Sequence, residues 1–313
     1  MRDPTSLRPH PHRRAAALLA VAALLLLRCT ATPSAPIAVD SFVVCGEPQP
    51  IAAPVVTFAE PGGYDAYRRG PWFDAAAPLD GQARWSQRRG LPDAATLADL
   101  RDVVHQFVLH YDTTATSAQC FKVLQDVRKL SVHFLLDVDG TIYQTLDLRD
   151  KAHHATIAND GAIGVEIAHP GAFAQPMQAA MRRFYERDDV GWRLRLPDGI
   201  ERGALADDLV VRPARDEVVA GEVNGKVYHQ LDFTEAQYRS LAALCAALSR
   251  TFPRIRLEVP READGRVVDH VLSAGELRAF DGIVGHFHVQ ANKQDPGPAF
   301  RWERVLADAR ALR

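Results

Sequence analysis

His110 ends an apolar run, Val103–Tyr111, and is followed by the polar Asp112-Thr113-Thr114, the kind of place where a strand delivers side chains to a cleft. His286 also follows a short apolar strand, Ile283-Val284, and a glycine. Asp295 comes nine residues later, inside Lys293-Gln294-Asp295-Pro296-Gly297-Pro298. Two imidazoles and one carboxylate suit a borderline divalent ion such as zinc, and three protein ligands leave a fourth position for water. Each histidine taken singly also fits a hydrogen-bonded structural role, so the spacing alone does not choose. The two prolines and the glycine fix the backbone around Asp295 under either reading.

The elements that must carry these groups follow from periodicity and caps. Ala94–Asp102 reads as a helix and Val103–Tyr111 as a buried strand. Thr116 or Ser117 caps a helix running to about Lys129. Ser131–Asp137 and Thr141–Thr145 read as a hairpin turned at Asp139-Gly140, and Ile163–Ala168 as an apolar strand with one acid, Glu166. Asn224-Gly225 joins Val218–Val223 to Lys226–Leu231 as a second hairpin. Thr234-Glu235-Ala236-Gln237 is a capping box opening a helix to about Arg250, and Ser273–Glu276 opens a shorter one. Phe300–Leu312 closes the chain as a helix. Strands and helices intermix, so the expected class is α/β, with a single mixed β-sheet flanked by helices.

The 313 residues are 47% hydrophobic and 24% charged, with a net charge of −2, which is ordinary globular composition. That balance lacks the Lys and Arg excess a nucleic-acid binder needs, so no nucleic-acid partner is expected. Residues 1–28 read as a secretory signal: Arg2, Arg8, Arg13 and Arg14 precede the apolar run Ala15–Leu27. At 13 residues that run is shorter than the about 20 a spanning helix requires. Two processing routes stay open. Leu26-Leu27-Arg28-Cys29 resembles a lipoprotein processing site, which would tether the protein to a membrane through a lipid on Cys29; simple cleavage near Ala31 is the other. Removing residues 1–28, which hold five Arg and one Asp, takes the net charge of the rest to −6. Residues 29–93, rich in Pro, Gly and Ala, read as a tether to about Ala53 and irregular wrapping beyond it, anchored by Trp72, Phe73 and Trp85. The compact domain is expected at 94–313, in the periplasm or cell envelope. Cys29, Cys45, Cys120 and Cys245 show no C-x-x-C spacing. Cys245 lies in an apolar helix and reads as a buried thiol, with a Cys120–Cys245 bridge left open.

An ordered series of motifs carries a resemblance. Val108-Leu109-His110-Tyr111 is followed by Leu130–Asp137, Asp139–Gln144 and Ala152-His153-His154-Ala155. Asn159, Ile163–Ile167, Gly285-His286 and Lys293–Phe300 complete it. Over about residues 103–305 the chain resembles the zinc-dependent N-acetylmuramoyl-L-alanine amidases, which share a fold with peptidoglycan recognition proteins. Relative to compact members it carries an insertion at about 172–233.

The resemblance implies that His110, His286 and Asp295 hold zinc, that Glu166 and Lys293 are catalytic, and that His154 and Asn159 bind substrate at the cleft. The loop from His286 to Asp295 is one residue shorter than in common members and contains His288, a competing ligand. The implied activity is hydrolysis of the amide between N-acetylmuramic acid and L-alanine in peptidoglycan or muropeptides. A non-catalytic peptidoglycan-binding module of the same fold is the alternative; such relatives usually lack a ligand, and none is missing here. His133 and His153 read as cleft-wall or core residues, Tyr143 as packing, and His169, His229 and His270 receive no role. The insertion is expected either as a flap beside the cleft or as peripheral decoration.

Overall fold

The computed structural model describes residues 40–74 and 76–313; the signal segment and Cys29 lie outside the described residues. Its centre is a six-stranded mixed sheet. In spatial order the strands are Gly282–Gly285, Gln106–Tyr111, Ala162–Ile167, Phe134–Leu136, Ile142–Gln144 and Val55–Thr57. Only Phe134–Leu136 and Ile142–Gln144 run antiparallel; every other pairing is parallel. Helices cover the sheet, as the intermixed pattern implied. All six residues of Gln106–Tyr111 are buried, which is why this strand reads as a continuous apolar run and not as an alternation.

Local chemistry sets the helix ends. Thr234 and Gln237 form the capping box of Glu235–Thr251, each side chain bonded to the other's backbone N–H. That helix buries Leu241, Leu244, Cys245 and Leu248 almost completely, at roughly 1.5–3 kcal/mol for each leucine. Thr116 caps Ser117–Lys122, which continues as a π-helical turn, Val123–Arg128, and ends on Lys129 in the left-handed region. Ser273 and Glu276 cap Ala274–Ala279 in the same reciprocal way. Among the described residues no helix is long and apolar enough to cross a membrane. Cys120 and Cys245 sit in different hydrophobic clusters and both are free, so no bridge joins them.

The expected tether is different from Asp40 onward. Asp40–Val44 and Glu47–Ile51 pair as a hairpin, and Phe42, Val44 and Ile51 are buried in the main core. Pro48 and Pro50 made the stretch read as broken, yet both are exposed on a strand whose ladder involves only one partner, a position that tolerates a missing N–H. The turn residues Cys45 and Gly46 are held from the domain: Asp147 accepts from both backbone N–H groups, at 2.8 and 2.7 Å. Further on, Arg88 is fully buried, donating to the carbonyls of Leu148, Asn159, Asp160 and Ala162 beside His133.

His169 supplies a stability test. It is buried, Nδ1 accepts from Gly171 N–H at 2.9 Å, and Nε2 donates to the Leu231 carbonyl at 2.8 Å. Burial outweighs the carbonyl bond and lowers its pKa from 6.5 to about 4. The neutral ring is therefore favoured in the fold. Its contribution is present above pH ~6.5 and is lost as acid protonates the unfolded chain first. The span of the shift corresponds to about 3 kcal/mol. Urea unfolding of wild type and His169→Gln should show the variant's deficit shrinking by about that amount between pH 7 and pH 4. A deficit independent of pH would contradict the assignment.

Candidate metal centre and cleft

The sheet places the first group. His110 and Glu166 are register partners on adjacent parallel strands, so both project from the same face. The neighbouring strand Gly282–Gly285 ends where His286 begins a single helical turn, His286–Val289. The chain then loops back to Asp295, whose carbonyl accepts from Phe287 N–H.

His110, His286 and Asp295, all buried, bring one donor atom each within 4.8 Å of the others. The two Nδ1 atoms are 2.9 Å apart, and Asp295 Oδ2 lies 2.9 Å from His286 Nδ1 and 3.2 Å from His110 Nδ1. Those separations come close to the edge of about 3.3 Å expected for a tetrahedron of donors around zinc. The far sides of both rings are occupied. His286 Nε2 meets Gln290 Oε1, and His110 Nε2 meets His154 Nδ1, each at 2.9 Å. With its hydrogen on Nε2 each imidazole turns a lone pair inward, and two lone pairs beside a carboxylate repel unless a cation lies between them. The donor set and its outer partners fit a zinc ion. Burial first, and then His286, lower His110 to about 4, so its ring is neutral near pH 7.

His288, the competing histidine, points elsewhere. Its Nδ1 accepts from Gly285 N–H at 2.9 Å and its Nε2 donates to the Val268 carbonyl at 2.8 Å. Both nitrogens serve the backbone.

A cleft of about 210 Å³ opens beside the three groups. Glu166, Lys293, His286 and Asp295 line it, together with Asp112, Arg128 and the π-helical Val123 and Leu124. Glu166 Oε2 is buried and lacks a hydrogen-bond partner. Burial, reinforced by Asp295 and Asp112, raises its carboxyl well above the usual range. An unpaired carboxyl facing a cleft beside such a centre is available for proton transfer.

His154 and Asn159 do not line this cleft. Asn159 Oδ1 accepts from the backbone N–H groups of His154 and Ala155, at 3.1 and 2.6 Å, and so fixes the turn that presents His154. His154 in turn backs His110. Gly164 makes room for it: a Cβ there would fall 2.5 Å from the ring. His154 thus sits behind His110, and Asn159 behind His154. His133 is a core residue, donating to the Asp150 carbonyl and accepting from Gly164 N–H. His153 meets Ser86 Oγ at 3.0 Å.

Gln290 was missed by the sequence reading. Its signal is the i, i+4 spacing from His286 across one helical turn, which is easily overlooked because the helix is so short. No residue of the insertion is among those lining the cleft, although Asn224 of its hairpin bonds to the carbonyl of Lys293, which is.

Comparison with known proteins then places the chain. Solved structures resembling it include a selenomethionine derivative of AmpD, at 18% identity and TM-score 0.35, covering 81% of this chain and 97% of that one. AmiD from E. coli, complexed with anhydro-N-acetylmuramic acid-L-Ala-D-gamma-Glu-L-Lys, is 15% identical with TM-score 0.36; the match covers 72% of this chain and 61% of AmiD. The N-acetylmuramoyl-L-alanine amidase LysC from Clostridium intestinale URNW is 15% identical with TM-score 0.36, covering 67% and 88%. No curated relative matches. The sequence model of the family described as N-acetylmuramoyl-L-alanine amidase matches residues 100–298, from the helix before the His110 strand to the turn beyond Asp295. A match over more than half of the chain decides the matter: the protein belongs to the N-acetylmuramoyl-L-alanine amidase family.

Proposed function

We propose that this amidase is a zinc enzyme, held by His110, His286 and Asp295, that cuts between the lactyl group of N-acetylmuramic acid and the L-alanine of the stem peptide. The observation that carries the reading is the convergence of those three donors beside an unpaired Glu166 and Lys293 in one cleft. An amide resists hydrolysis because water is a weak nucleophile and the tetrahedral intermediate bears an oxyanion. When bound, the ion supplies a Lewis acid that acidifies water and polarises the carbonyl. Glu166 accepts the proton of the attacking water as the new C–O bond forms. It returns that proton to the alanine nitrogen as the C–N bond breaks, so the carboxylate is regenerated. Lys293 places an ammonium beside the developing oxyanion, worth ~3 kcal/mol by analogy with one oxyanion donor. His154 and Gln290 hold the two imidazoles in the productive tautomer.

Chelation tests the metal directly. Stripping the protein with a strong chelator should abolish release of free stem peptides from muropeptides, and one equivalent of zinc should restore it. Full activity in the stripped protein sinks the zinc reading. Zinc-loaded protein that binds peptidoglycan but frees no peptide supports the binding-module alternative.

Export, with or without a lipid on Cys29, is proposed from residues 1–29 alone. Labelling with a lipid precursor that is lost in Cys29→Ser supports anchoring; a soluble periplasmic product with no label supports plain cleavage.

A further inference from the structure

The segment after His286–Val289 carries both Lys293 and Asp295 yet has no regular secondary structure until Trp302. Its own bonds are few: Lys293 N–H to the Gln290 carbonyl, Phe287 N–H to the Asp295 carbonyl and Phe300 N–H to the Gly297 carbonyl. Arg215 and Tyr238 hold its far end, at Ala299 and Arg301. The stretch around Asp295 is held by the hairpin of the insertion, Val219–Val223 and Lys226–Gln230.

Gln230 is fully buried. Its Nε2 donates to the Pro296 carbonyl at 3.0 Å and its Oε1 accepts from Ala299 N–H at 2.9 Å. The turn between those two bonds closes around the carboxamide. Gly297 has φ +87°, and a Cβ there would lie 2.3 Å from Gln230 Oε1. Asn224, at the hairpin tip, donates from Nδ2 to the Lys293 carbonyl at 2.9 Å and accepts at Oδ1 from Val271 N–H at 2.8 Å. Gly221 lets the hairpin lie against Pro298, where a Cβ would approach to 2.7 Å. The carbonyls on either side of Asp295, those of Lys293 and Pro296, are therefore both held by hairpin side chains.

We infer that the insertion's hairpin is a buttress for the metal centre, with Gln230 and Asn224 as positioning residues that preset Asp295 and Lys293. The inference rests on the zinc reading above. No hairpin residue lines the cleft or supplies a donor atom; the hairpin acts through the backbone that carries Lys293 and Asp295. A short loop with few internal bonds samples other conformations unless side chains saturate its polar groups, and outer partners of metal ligands typically govern affinity by 10–100-fold.

The test uses the mature chain and zinc alone as probe. Zinc affinity is measured by competition with a chromogenic chelator, and kcat and KM are measured separately on a muropeptide. Gln230→Leu should weaken zinc binding about tenfold or more. Asn224→Gly keeps the left-handed turn, since Asn224 has φ 50° and glycine adopts that region freely, but frees the Lys293 carbonyl. It should lower kcat about tenfold with little change in KM. Val227→Ala, on the same hairpin and 53% exposed, serves as control and should leave all three values unchanged. Wild-type zinc affinity and kcat in the first two variants overturn the inference alone, as does a lowered melting temperature of the stripped proteins with no loss of affinity or kcat. A wild type that binds no zinc sinks the zinc reading and takes this inference with it.

Discussion

His286→Ala is expected to lose zinc and, with it, amidase activity by at least about 10³-fold, because Lewis-acid assistance alone is worth several kcal/mol of the barrier. His286 supplies Nδ1 to a set whose other members, His110 and Asp295, lie 2.9 Å away, and Gln290 locks its far side. Removing the imidazole leaves two donors, too few for a tight site. His288→Ala should behave in the opposite way, keeping the metal at wild-type affinity. It should instead lose stability, about 2–4 kcal/mol, since a buried ring disappears and Gly285 N–H and the Val268 carbonyl are left unpaired. Metal content by atomic absorption and urea unfolding, measured on both variants, separate the two outcomes. Zinc lost from the His288 variant and retained by the His286 variant would reverse the ligand choice.

Glu166→Gln should keep zinc and fold as wild type, yet lose about 10²–10⁴-fold in kcat, the usual span for one proton-transfer group. The amide has nearly the carboxyl's shape, so the cleft is preserved. It cannot carry a proton from water to the leaving amine. Substrate affinity should change little, because the group acts in the transition state and not on the ground-state complex. Single-turnover release of stem peptide from a muropeptide, alongside zinc content, checks this. A variant within tenfold of wild-type kcat would remove Glu166 from the mechanism.

Much of the architecture was readable because it depends on near neighbours. The capping boxes at Thr234–Gln237 and Ser273–Glu276 are satisfied within three residues, and both helices start there. Asn224-Gly225 specifies its turn through two left-handed residues, and the hairpin forms around it. The hairpin at Asp40–Ile51 was not readable in this way. Its prolines argue locally against a strand, and only the burial of Phe42, Val44 and Ile51 against distant core residues outweighs that preference.

For the centre, residue types and order were enough to name His110, Asp295 and a short list for the second imidazole. Side-chain chemistry is a property of the residue, so the chain itself carries it. Geometry belongs to contacts across the fold. Two histidines only two positions apart are told apart because one faces a partner 176 residues away while the other is spent on neighbouring backbone. The same holds for the insertion: its local pattern specifies a hairpin, and only the tertiary structure sets Gln230 against a carbonyl 66 residues on.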